Sequence, residues 1–161
     1  MSTTGLARMI RRVGRIAEPA PPAPPLLSGA EVFGGSVDVR FITAGGCNDC
    51  ALEVMSAFGP VYDVERYGIR LVASARHADV LLIVGAVTRN VLEPLLRTIE
   101  ATPAPRFIIA VGDCAITGGA VADGYGVVGP VSSVVDVDLE VPGSPPEPAQ
   151  IVEALRRMTG R

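Results

Sequence analysis

Short apolar runs that close on glycine recur from about Ser36 onward, with helical stretches between them. Two of them, residues 80–85 and 107–112, carry no polar side chain before the closing glycine. A strand without polar alternation has both faces covered, which is the condition of a parallel sheet flanked by crossover helices. An α/β fold is therefore expected, with strands at residues 37–43, 69–73, 80–85, 107–112 and 134–141. Between them, residues 50–58 read as a helix ended by Gly59-Pro60, and residues 91–101 as another, with Asn90 and Glu93 as its capping box. Pro94 sits awkwardly in the second, so that helix is expected to start late or to kink. Residues 148–159 place Ile151, Val152, Leu155 and Met158 on one face, with Arg156 and Arg157 at the negative end and Gly160 as a stop.

With 161 residues, 48% of them hydrophobic, the chain has material for one compact domain. We place that domain at residues 36–161, preceded by an appendage over residues 1–35. Within the appendage, Leu6, Met9, Ile10, Val13 and Ile16 fall at helical spacing, and Arg8, Arg11, Arg12 and Arg15 lie mostly on the other side. Such a basic amphipathic helix suits a partner subunit or an anionic membrane surface, while a solvated tail is the plain alternative. Residues 18–25 hold five prolines and read as a stiff, extended spacer. The net charge of -3 gives no argument for nucleic acid. No apolar run approaches the ~20 residues that span a bilayer, and a secretory leader is not recognisable, so a cytosolic protein is expected.

Three cysteines in a cytosolic chain argue against a disulfide framework and toward metal or redox chemistry. In open parallel sheets ligands sit beyond the carboxyl ends of the strands. Cys47 and Cys50 follow the first strand in Gly45-Gly46-Cys47-Asn48-Asp49-Cys50, Cys114 follows the fourth in Gly112-Asp113-Cys114, and Ser144 follows the last in Pro142-Gly143-Ser144-Pro145-Pro146. All four positions are thus expected at one rim, where a shared ligand explains sulfur on loops far apart in sequence. Gly45, Gly46, Gly112, Gly118, Gly119 and Gly143 let the backbone approach closely and aim N–H groups at cluster sulfides; turn-making alone is the other role open to them. A thioredoxin-type dithiol shares the Cys-x-x-Cys spacing but leaves Cys114 unexplained. Zinc held by the three cysteines and His77 is a further reading, ranked below the cluster because His77 comes just before a strand and so falls near the opposite rim.

These residues resemble the small-subunit family shared by energy-converting nickel-iron hydrogenases, of the formate hydrogenlyase type, and the NADH-quinone oxidoreductase known as respiratory complex I. The resemblance rests on Gly45 to Glu53, on Val61 to Gly68, on Ser74 to Leu81 with Gly85-Ala86-Val87-Thr88, and on Gly112 to Gly119. It runs from about Val37 to Arg157 and implies a flavodoxin-like fold. It implies a 4Fe-4S cluster held by four cysteines and facing a large catalytic subunit, in a complex with other iron-sulfur subunits and membrane subunits on the inner face of the cell membrane. Cys47, Cys50 and Cys114 match three of those cysteines, and Ser144 stands at the centre of the family's PGCPP motif. Cys-x-x-Cys is typical of the hydrogenase and formate hydrogenlyase branch, adjacent cysteines of complex I. The resemblance also implies a carboxylate beside the large subunit, here Glu53, for proton handling; the alternative for Glu53 is stabilisation of the first helical turn. Arg76 and Arg89 are candidates to pair with acidic partner groups, or are ordinary solvated arginines.

Serine replaces a soft thiolate with a hard, poorly acidic alcohol, so three outcomes are open at position 144. Ser144 ligates as an alkoxide, the site holds a 3Fe-4S cluster on three cysteines, or water or a partner residue completes a 4Fe-4S cluster. The retained four-iron type is preferred, and a non-redox scaffold with a degenerate site is the reading from a different class.

Overall fold

The computed structural model describes residues 21–161 together with Gly5, Arg8, Met9, Arg11 and Arg12; the helix expected over residues 6–17 lies for the most part outside the described residues. In chain order the strands are β1 (Val37–Thr43), β2 (Ile69–Leu71), β3 (Val80–Val84), β4 (Val87–Thr88), β5 (Phe107–Val111), β6 (Val127–Gly129) and β7 (Leu139–Val141). The α-helices are α1 (Asp49–Ala57), α2 (Arg89–Ala101), α3 (Asp113–Thr117) and α4 (Pro148–Thr159). Five strands form one parallel sheet in the order β2-β1-β3-β5-β7, the flavodoxin-like arrangement, and β4 pairs with β6 in a separate antiparallel ribbon.

The apolar runs are explained by two cores. On β3, Val80, Leu82 and Val84 face Val54, Leu155 and Met158 on the side of α1 and α4. Leu81 and Ile83 face Leu95 and Ile99 of α2 on the other. Every residue of β3 is buried, so neither face has room for polar alternation.

Boundaries moved where polar groups intervene. The last strand begins at Leu139 rather than at residue 134, because Val131–Ser133 forms a 3-10 turn and the valines after it pack irregularly on the second core. Asp138 joins the sheet partly by its side chain: Oδ2 accepts the Ile108 N–H at 2.7 Å while its own N–H donates to Ile108 O at 2.9 Å. Helix α2 starts at Arg89, with Thr88 before it, so Asn90 does not cap it; Glu93 instead pairs with Arg97 one turn on. The helix runs through Pro94, whose carbonyl accepts the Thr98 hydroxyl at 2.7 Å.

The proline-rich stretch, as far as it is described, lies against α4. The guanidinium of Arg156, 4% exposed, donates to Pro22 O at 2.7 Å, Pro21 O at 3.3 Å and Arg161 O at 2.6 Å, and it stacks over Tyr67 at 4.7 Å. Leu27 N–H adds a bond to Arg157 O, and Ala30 is buried in the first core. No helix among the described residues is long and apolar enough to cross a membrane.

Candidate metal centre

Strand register brings the site together. Thr43 pairs with Val84, Val84 with Val111 and Val111 with Val141, so four strands end level with one another. The chain leaves each end through a glycine-bearing loop. After β1, Ala44 N–H still bonds to Val84 O, and the Thr88 hydroxyl returns to Ala44 O at 3.1 Å, holding Gly45 and Gly46 over the β1/β3 crossing. A side chain at Gly85 would collide with the Gly45 backbone, so these two loops touch along bare backbone. This is the switch point at which such sheets bind ligands.

Gly112 is the hub. A Cβ there would lie 2.5 Å from the Cys50 thiol and 3.4 Å from Gly143 O, so the Cys50, Cys114 and Ser144 loops meet on this one residue, whose φ of +89° favours glycine as well. A Cβ at Gly119 would stand 2.7 Å from the Cys114 thiol. The structure therefore places Cys47, Cys50, Cys114 and Ser144 at one rim. Cys50 is buried at the start of α1, Cys114 is half-buried on α3, and Cys47 and Ser144 are exposed.

Most of the glycine N–H groups do not point at this space. Gly112 donates to Val141 O, Gly118 to Cys114 O, Gly119 to the Thr117 hydroxyl and Gly143 to Asp113 Oδ1. The expectation that all six glycines offer N–H donors to sulfides is thus corrected for four of them, because backbone donors find protein acceptors in the turn itself. Their necessity is steric.

Burial pushes the Cys50 thiol up to about 11, with Cys47, Cys114 and Asp49 nearby adding to the rise. Cys114 is raised too, by burial first and then by Cys47 and Asp113. Two thiols that resist ionisation, by burial first and by neighbouring charge second, become better ligands when cations bind beside them. Among the described residues, no three Cys, His, Asp or Glu side chains come together as ligands of a single metal ion. Thiolates that bind different irons of a cluster need no such tight convergence, and a soft, three-sulfur donor set with a fourth oxygen position and glycine-cleared space fits a cluster. His77 ends a 3-10 turn just before β3, at the amino end of the sheet, and lines a groove with Asp38, Arg70 and Ser74. It stands apart from the cysteines.

Glu53 lies on α1 one turn after Cys50 and is partly buried, whereas the acidic residue of the first turn is Asp49. Helix stabilisation at that end belongs to Asp49. Arg76 and Arg89 are exposed, and neither enters an ion pair among the described residues. Sequence reasoning did not single out Asp113, whose carboxylate ties the Cys114 and Ser144 loops; its position beside a cysteine was the available signal.

The family described as NADH ubiquinone oxidoreductase, 20 Kd subunit, matches residues 47–158. Formate hydrogenlyase subunit 7 of Escherichia coli is 44% identical over 114 residues, covering 71% of this chain and 45% of that protein. A probable membrane-bound hydrogenase subunit of Pyrococcus furiosus is 39% identical, covering 73% of this chain and 70% of its own length. Among solved structures, a chain of the membrane-bound sulfane sulfur reductase, an archaeal respiratory membrane complex, superposes with a TM-score of 0.69 at 28% identity, covering 81% of this chain and 74% of that one.

Proposed function

The chain belongs to the NADH ubiquinone oxidoreductase 20 Kd subunit family, and from that premise we propose that it is the iron-sulfur, electron-relaying subunit of a membrane-associated hydrogenase or hydrogenase-like oxidoreductase complex. It is not catalytic alone. The observation that carries this reading is the convergence of Cys50, Cys114 and the Ser144 loop on Gly112, at the level ends of the sheet.

Cys47, Cys50 and Cys114 hold a 4Fe-4S cluster, with Ser144 at the fourth position. The bound group supplies one-electron redox chemistry. The chain's own residues give up three thiol protons to take it, keep Cys50 from water, and present the exposed Cys47 side of the rim to a large catalytic subunit. Leu52, 64% exposed, and Met55 beside that rim suit a subunit contact. Glu53, one turn behind Cys50, handles protons at that contact. Other iron-sulfur subunits take or deliver the electrons, and membrane subunits hold the complex at the inner face of the cell membrane.

Cys-x-x-Cys spacing supports the hydrogenase branch over a complex I-like module. Nickel-binding cysteines in the partner large subunit select between them. Iron and acid-labile sulfide analysis of the anaerobically purified complex, with EPR, tests the cofactor: iron and sulfide with a signal that appears on reduction are expected. A preparation free of iron would overturn the relay reading, and a three-iron signal in the oxidised state would replace the four-iron assignment.

A further inference from the structure

We propose that Asp113 is a positioning residue that fixes the separation of ligand positions 114 and 144, so that the Ser144 loop stays in ligand register whatever side chain it carries. The inference rests on the cluster reading above. Asp113 immediately precedes Cys114, and Gly143 immediately precedes Ser144. Between these two residues run two hydrogen bonds of opposite sense: Asp113 N–H donates to Gly143 O at 2.8 Å, and Gly143 N–H donates to Asp113 Oδ1 at 2.9 Å.

The need for a carboxylate follows from the loop's composition. Regular pairing of the β5 and β7 chains ends with Gly112 N–H on Val141 O. Beyond it come Pro142, Pro145 and Pro146, none of which has an N–H to give, so Gly143 and Ser144 are the only backbone donors across residues 142–146. Asp113 takes the first of the two with a charge-assisted bond, acting as the last rung of the sheet. The loop it grips is stiff. A Cβ at Gly143 would lie 2.5 Å from the Pro146 Cα, and its φ of +141° is one that side chains rarely adopt. A rigid loop anchored one residue before its ligand position leaves that position little freedom, and nothing in the anchor involves the Ser144 side chain.

The test uses the full chain in its complex, with Ser144→Cys as the background that supplies four thiols. Asp113→Ala and Asp113→Ser are introduced into it, the second keeping a polar side chain too short to reach Gly143; Asp113→Asn keeps an oxygen that accepts the Gly143 N–H. In the Ser144→Cys chain an all-thiolate four-iron EPR signature is expected. Asp113→Ala and Asp113→Ser are expected to convert it on oxidation to the three-iron signature and to speed iron loss to a chelator severalfold, and Asp113→Asn is expected to restore both. Unchanged spectra and chelation rates in the Ala and Ser variants would overturn the inference, as would a lower unfolding midpoint with no spectral change. Absence of iron in every chain, parent included, would overturn it together with the relay reading; iron in the parent with indifferent Asp113 variants would overturn it alone.

Discussion

On the cluster reading proposed above, the hydroxyl at position 144 offers a hard donor where a thiol would be soft, in a loop with a glycine before it and prolines around it. Ser144→Cys is therefore expected to bind without rearrangement, to raise the midpoint potential measured by redox titration and to abolish any three-iron signal. In the metal-free chain the thiols differ in reactivity for a stated reason. Cys47 is exposed, whereas Cys50 is buried with its pKa raised from 9.0 to about 11. Since the thiolate is the reacting form, iodoacetamide at pH 8 should label Cys47 first and Cys50 last. The Cys50 rate should climb about tenfold per pH unit until it levels near the raised pKa, as mass spectrometry across a pH series would read. The cysteines and the serine were legible in sequence because strand ends and loops can be counted. Asp113 was not, because its role depends on register between two strands 30 residues apart in the chain.

At the level of elements, the apolar runs located β1, β3 and β5 to within a residue, since a strand buried on both faces cannot disguise itself. The edge strand β7 was read too long: Val134, Val135 and Val137 are apolar for packing on the second core, not for pairing. Short ribbons such as β4 with β6 leave almost no periodic trace. Gly112 tests the hub directly. Gly112→Ala puts a methyl group into the Cys50 thiol at a backbone angle that alanine resists, so it should cost about 2 kcal/mol in denaturant titration and lower the iron content in parallel. At the far end of α4, Arg156→Met removes the donor from the carbonyls of Pro21, Pro22 and Arg161. Leaving those groups unpaired should cost about 1–3 kcal/mol, and limited proteolysis should then cut within residues 21–35.

Across the whole molecule, charge and hydropathy offered little beyond the class of protein; the order of the strands decides where chemistry can occur. Leu52 and Met55 are exposed on α1, the helix that carries Cys50, while Arg156 ties the amino-terminal stretch to the end of α4. Replacing both Leu52 and Met55 by serine should leave unfolding within about 0.5 kcal/mol of the parent, as surface changes do. Co-purification of the large subunit should fall in the same variant, separating folding from assembly. The level strand ends have a further bearing on how such a chain changes over time. Each loop starts from its own strand, and the exposed corners at Cys47 and Ser144 lie outside the two cores, whereas Cys50 is packed into the first. Donor chemistry at one corner can then drift while the other three corners and the interior are inherited intact, so lineages can retune a redox centre in single steps without passing through an unfolded ancestor.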